Sequence, residues 1–171
     1  GGMIVLGEDN CMGDVARFYL DFIVDESCGK CTPCRVGTKR LLEMLTKICK
    51  GEGTLELLDE MEELCYHIKN NSLCGLGQSA ANPVLSTLKN FREEYIAHIV
   101  DKRCPAHVCK DLLHYTIDPD KCRKCSLCSR ECPVEAISGV PGQVPYYIDP
   151  KKCIKCGACY GTCRFNAITR G

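Results

Sequence analysis

Three times in this chain cysteine recurs at every third position: Cys28/Cys31/Cys34, Cys122/Cys125/Cys128 and Cys153/Cys156/Cys159. A turn of backbone at that spacing aims three sulfurs at one point, and soft thiolates select iron–sulfur clusters, zinc or copper(I). Zinc ribbons use cysteine pairs, whereas a triplet with one remote cysteine is the iron–sulfur pattern. The chain holds 17 cysteines in all. An odd count, with no secretory signal ahead of the first triplet, argues against a disulfide scaffold and for a reducing compartment, the cytoplasm.

Lys plus Arg and Asp plus Glu each number 22, so there is no net charge. That balance leaves no electrostatic footprint for nucleic acid or an anionic membrane surface. No apolar run reaches the ~18–20 residues of a membrane span. Neither nucleic acid nor membrane is therefore expected as a partner. A length of 171 residues allows one domain or two small ones. The opening Gly1-Gly2-Met3-Ile4-Val5-Leu6 reads like the middle of a domain, as in a piece of a longer protein.

Residues 115–138 recur at 146–169 with half of the aligned positions identical. Each copy runs from a short Tyr/Ile strand through an Asp-Pro turn and a cysteine loop into a short helix. The link from Gly139 to Pro145 is rich in turn residues. Both loops have the C-x2-C-x2-C-x3-C form of bacterial ferredoxins, in which the fourth cysteine serves the other cluster. One 4Fe-4S cluster then takes Cys122, Cys125, Cys128 and Cys163, and the second takes Cys153, Cys156, Cys159 and Cys132. Crossed ligation staples together a unit whose apolar core is small. Cys132 is followed by the expected Pro133, but Cys163 is followed by Arg164. This removes no ligand and alters the local backbone hydrogen bonding.

Ahead of the ferredoxin lie four amphipathic stretches at helical spacing. They are Met12/Val15/Ala16/Tyr19/Phe22/Ile23, Leu41/Met44/Leu45/Ile48, Leu58/Met61/Leu64/Cys65/Ile68 and Val84/Leu88/Phe91/Tyr95. Thr54 is the expected N-cap of the third, and Asn82-Pro83 opens the fourth as N-cap and first helical residue. Gly51-Glu52-Gly53 separates the second from the third. Short connections favour an up-down bundle. The triplet at 28–34 then shares one bundle end with the junction between the third and fourth helices, where Cys74 stands among glycines. Cys74 is the expected fourth ligand. Cys65, on an apolar stripe, is the competing candidate and reads as a small buried hydrophobe.

The stretch from Glu26 to Gly37 (ESCGKCTPCRVG), with Ser72-Leu73-Cys74-Gly75-Leu76-Gly77, closely resembles the NADH-binding flavoprotein subunit of respiratory complex I. In that family the matching cysteines hold the 4Fe-4S cluster that first receives electrons from FMN. Joined to a two-cluster ferredoxin, the pattern resembles the beta subunit of electron-bifurcating, NAD-dependent FeFe-hydrogenases. The resemblance implies that FMN and NAD(H) bind in a region upstream of residue 1. It implies as partners a hydrogenase-type catalytic subunit, a small 2Fe-2S subunit and a ferredoxin. A formate dehydrogenase or a ferredoxin:NAD(P) transhydrogenase complex is the alternative setting.

Setting aside the cluster ligands and Cys65 leaves Cys11, Cys49, Cys104 and Cys109. The C-x4-C pair Cys104/Cys109 suits two ligands of a tetrahedral zinc. In an up-down bundle Cys49 and His98 fall at the end where the linker begins. Zinc held by Cys49, His98, Cys104 and Cys109 is the expectation, with Cys11 as substitute for Cys49 and His107 as substitute for His98. The hydrogenase resemblance implies such a site at the hinge of a ferredoxin arm. The other reading makes His98 a packing residue and the cysteines free thiols.

The expected fold is α+β: a four-helix bundle over 1–100 carrying one 4Fe-4S cluster, a linker over 101–114, and a bacterial-type two-cluster ferredoxin over 115–171. The expected function is electron transfer through three 4Fe-4S clusters, with a mobile ferredoxin arm and no acid–base catalysis in these residues. His67 and His114 read as surface or packing residues. Lys30, Arg35 and Lys39 are either solvated cations or offset the charge of the first cluster. A radical enzyme with an open iron is disfavoured because every triplet has a candidate fourth cysteine. A zinc-structured interaction domain is the third reading.

Overall fold

The computed structural model describes residues 4–171. Gly1-Gly2-Met3, expected to mark a point inside a longer chain, lies outside the described residues. The chain divides between Leu112 and Leu113 into two compact units.

The first unit is helical. Helix α1 (Met12–Glu26) leads through the cysteine triplet and a π-helical turn, Pro33–Gly37, into α2 (Thr38–Cys49). Then come α3 (Leu55–Asn71), the short α4 (Gly75–Ala80), α5 (Asn82–Asn90) and α6 (Arg92–Ile99). Thr54 caps α3 as expected, its side chain accepting from the Leu57 amide. Gly51, at φ +77, takes the left-handed turn that ends α2. One core runs through all six helices, with Ala16, Leu20, Leu41, Leu45, Ile48, Leu58, Met61, Ile68, Val84, Leu88 and Tyr95 sealed from solvent. Each Leu, Ile, Val or Met side chain among them contributes about 1.5–3 kcal/mol on burial.

The four-helix expectation needs correction. Its fourth helix is two helices, because the backbone breaks at Phe91 (φ −135, ψ 34), and α4 is an extra element. Across the break the Tyr95 hydroxyl and Thr87 Oγ1 lie 2.7 Å apart, joining α5 to α6. Phe91 and Phe22, both expected on apolar stripes, are exposed, and Leu20 fills the α1 core position instead. Asn82 is the first residue of α5 rather than its cap, and no side chain caps that helix. Of the stretch read as a linker, Cys104, Ala106, Cys109 and Leu112 are buried within the helical unit.

The second unit has two antiparallel strand pairs and two short helices. Strand β1 (Tyr115–Ile117) pairs with β4 (Ile168–Arg170), Ile117 opposite Ile168. Strand β2 (Ile137–Val140) forms a hairpin with β3 (Val144–Ile148), Ile137 opposite Ile148, turned at Gly142 with φ +73. Helices α7 (Leu127–Arg130) and α8 (Ala158–Thr162) follow the two cysteine loops. The start of the first repeat thus closes on the end of the second.

Candidate functional site

Each ferredoxin loop repeats one backbone solution. Lys124 and Ser126 in the first loop, and Lys155 and Gly157 in the second, all sit at positive φ. Non-glycine residues rarely take that conformation. Here it coils the second loop and sets the Lys155 amide 3.4 Å from Cys153 Sγ, while after the first loop Glu135, at φ +51, precedes the Ala136 amide that lies 3.2 Å from Cys132 Sγ. Two narrow cavities result. One is lined by Cys122, Cys125, Cys128 and Cys163, with Ile117 and Tyr146. The other is lined by Cys153, Cys156, Cys159 and Cys132, with Ile148 and Tyr115. Each therefore gathers three cysteines of one repeat, the fourth of the other, and a tyrosine from the opposite strand. Burial pushes the Cys159 thiol up to about 11 and moves Cys128 the same way. Such thiols hold their protons until a metal displaces them.

In the helical unit the triplet faces the α3–α4 junction. Cys31, its thiol lowered chiefly by the Leu73 amide, is joined through that bond to the segment carrying Cys74. Cys34 is buried, with its sulfur 3.3 Å from Ser27 Oγ, while Cys28 and Cys74 are exposed. Gly77 makes the approach of α4 possible: a Cβ there would lie 3.2 Å from the Cys34 Cβ and 2.5 Å from the Ser72 side chain. The π-helical turn carries Cys34 on its wall, a feature that recurs at functional sites. Cys65 lies away from this group in the sealed core, and burial pushes its thiol up to about 12. Arg35 donates to the Gly29 carbonyl at 2.7 Å, and Lys30 and Lys39 are exposed. Neither His67, exposed beside Glu63, nor the exposed His114 enters any cysteine group.

A fourth centre is the tightest. The ligand atoms of Cys11, His98, Cys104 and Cys109 all lie within 4.8 Å of one another, and all four residues are buried. Cys11 Sγ and Cys109 Sγ are 3.8 Å apart, and His98 Nε2 is 3.3 Å from each. Ordinary zinc–ligand bonds in a tetrahedron set sulfur–sulfur edges of ~3.7 Å and nitrogen–sulfur edges of ~3.5 Å. A four-iron cube, with each thiolate on its own iron, spreads its ligands farther. The donor set therefore fits one zinc ion. His98 Nδ1 donates to the Glu94 carbonyl at 2.6 Å, which leaves Nε2 free for a metal. The Glu94 carboxylate accepts from the Met12 amide and ties the start of α1 to α6. Burial opposes charge on His98, and the Cys104 and Cys11 sulfurs raise its pKa only while no cation is bound; a metal would take the place of that proton at Nε2. The Cys104 thiol is driven strongly down because Cys109 and Cys11 donate to it.

One expectation changes here. Cys49, expected as the fourth ligand, stands outside the compact group, and Cys11 takes the place. Cys11 is the extended N-cap residue of α1 (φ −78, ψ 121), and that conformation delivers its sulfur to the loop after α6. His107 also stays outside the group, its Nδ1 buried without a hydrogen-bond partner.

The cysteine geometry defines an iron–sulfur protein of two parts, and comparison with known proteins agrees. Residues 14–98 match the NADH-ubiquinone oxidoreductase-F iron-sulfur binding region, and residues 114–164 match the 4Fe-4S dicluster domain. The chain belongs to the family of F-type NADH oxidoreductase subunits and their hydrogenase counterparts. It is 59% identical over 143 residues to the NADP-reducing hydrogenase subunit HndC of Solidesulfovibrio fructosivorans, covering 84% of this chain and 29% of that protein. An F-type subunit of the NADH-quinone oxidoreductase of Rhizobium meliloti is 42% identical over 106 residues, covering 62% of this chain and 25% of the relative. The crystal structure of an NAD+-reducing NiFe-hydrogenase in the H2-reduced state matches with a TM-score of 0.53 at 33% identity, over 56% of this chain and 16% of that one. The chain thus spans under a third of the length of these relatives. Among the described residues no helix is long and apolar enough to cross a membrane.

Proposed function

We propose that this chain conducts electrons through three 4Fe-4S clusters in an NAD(P)-linked hydrogenase complex. The observation that carries the proposal is the pairing of cavities in the second unit, each lined by three cysteines of one repeat and the fourth of the other. Cys28, Cys31, Cys34 and Cys74 are assigned to the first cluster, and the two crossed sets to the others. Iron–sulfur clusters supply one-electron redox chemistry, while the protein sets their burial, spacing and hydrogen bonding. Within that division of labour the second loop presents the Lys155 amide to sulfur, the turn after the first loop presents the Ala136 amide, and Ile117, Ile148, Tyr115 and Tyr146 exclude water. The exposure of Cys28 and Cys74 supports a first centre near the surface, which suits electron entry from a flavin and NADH site elsewhere in the complex.

A hydrogenase setting is favoured over a quinone oxidoreductase because the HndC match runs over 84% of the chain, against 62% for the Rhizobium relative. The resemblance to bifurcating enzymes extends the proposal to a branched path, with the ferredoxin unit as a mobile branch and partner redox subunits in the cytoplasm. Zinc held by Cys11, His98, Cys104 and Cys109 is assigned a structural role, since four protein donors leave no open position. The decisive measurement is metal analysis with EPR of the reduced, anaerobically purified chain. About twelve irons from three four-iron clusters, one zinc, and a Cys74→Ser variant that loses one of three signals are expected. Zinc without iron, or three unchanged signals in the variant, would overturn the respective assignment.

A further inference from the structure

A fourth cysteine sits against the proposed zinc site without belonging to it. Cys49, the last residue of α2, is buried in the same cluster as Cys11, Cys104 and Cys109. A methyl group at Gly13 would lie 3.7 Å from Cys49 Sγ and 3.8 Å from Cys11 Sγ, so the two sulfurs flank one glycine. Cys49 and Cys109 are packed in one buried cluster. Access separates this pair from the remaining thiols. A surface cleft of about 440 Å3 is lined by Cys49 and Cys109, with Arg17, Lys50 and Lys110 and the carboxylates Asp14 and Asp111 around them, while Cys11 and Cys104 do not line it. Cys65, by contrast, is sealed in the helical core.

We propose that Cys49 is a thiol–disulfide exchange site that couples the zinc centre to small-molecule disulfides. This rests on the zinc reading above. A disulfide RSSR enters the cleft and the Cys49 sulfur attacks it. The S–S bond of the reagent breaks, a mixed disulfide forms on Cys49, and the first thiol leaves with the Cys49 proton. The Cys109 sulfur, a thiolate if it holds the proposed zinc, then attacks Cys49 Sγ and expels the second half as a thiolate. Two electrons pass from Cys49 and Cys109 to the reagent, whose halves depart as RSH and RS−. Exchange of this kind needs a spare thiol within reach of a thiolate and a path from solvent. Once Cys109 is bonded to Cys49, the metal keeps only Cys11, His98 and Cys104, and the loop over 101–112 loses an anchor.

The test uses the full chain, anaerobically purified with its clusters, and oxidised glutathione as the disulfide. Zinc release is followed with a chromogenic chelator and iron release in parallel, for wild type, Cys49→Ala and Cys49→Ser. Wild type should release zinc while keeping iron, with a peptide linking residues 49 and 109 found by mass spectrometry. Both variants should fold, bind zinc, and release it about tenfold more slowly. Equal release rates in zinc-loaded wild type and variants, or a bridge between Cys104 and Cys109 instead, would overturn the inference and leave the zinc reading intact. Untreated wild type with full iron and no zinc would overturn the zinc reading and this inference with it.

Discussion

The sulfur of Cys11 lies 3.8 Å from that of Cys109, across 98 positions of sequence. The contact joins the first residue before α1 to the loop that follows α6, and His98 completes the angle between them. Loss of an outer partner typically weakens a metal site 10–100-fold, so loss of a direct ligand should cost at least about 100-fold. Cys11→Ser is therefore expected to be isolated without zinc, with all three clusters retained and with faster proteolysis between residues 101 and 112. Elemental analysis and limited digestion check this. Full zinc in the variant would hand the fourth position back to Cys49.

Much of this arrangement was legible in the residues. The triplets, the duplicated loops and the Thr54 cap declare themselves, because short-range spacing fixes them. The choice between Cys11 and Cys49 was not legible. Both fall at one end of a bundle, and only the extended N-cap backbone at Cys11 decides between them. The break at Phe91 was equally hidden, since Val84, Leu88, Phe91 and Tyr95 keep perfect helical spacing. Tertiary packing overrides that pattern: Phe91 turns outward while Tyr95 reaches back to Thr87.

The place of Gly77 is set by close approach, not by backbone freedom. A side chain there would stand 2.5 Å from Ser72, itself buried and bonded to the Ile68 carbonyl, and 3.2 Å from the Cys34 Cβ. Overpacking of this kind costs about 1–3 kcal/mol. Gly77→Ala should push α4 away from the triplet and weaken the first cluster. The reduced variant is expected to lose one EPR component and keep the two of the ferredoxin unit. A full set of three signals with unchanged stability would show that α4 yields without cost.

Crossed ligation makes a prediction that simple pairing does not. Because Cys163 lines the cavity of Cys122, Cys125 and Cys128, Cys163→Ser and Cys122→Ser should alter the same spectral component. Cys132→Ser should instead match Cys153→Ser, since those residues line the other cavity. Potentiometric EPR titration of the four variants distinguishes the patterns. Grouping by repeat, with Cys132 alongside Cys122, would refute crossing.

Cys65 provides a pH signature for a cysteine that is core and not ligand. It lies at 0% exposure among Leu58, Met61 and Ile68, and burial raises its thiol from 9.0 to about 12. The folded state favours the neutral thiol, whereas the unfolded chain ionises it above the ordinary value. Its contribution to stability is therefore complete below about pH 9 and is lost as pH rises towards 12. Tyr95, raised by burial in the same core, adds a loss of the same sign. Denaturant unfolding of the chain should show stability falling across that window. Cys65→Ala should flatten part of the slope, lower stability at neutral pH by about 1 kcal/mol for the lost sulfur contacts, and leave the iron content unchanged. Loss of four irons in this variant would instead make Cys65 the fourth ligand of the first cluster and displace Cys74.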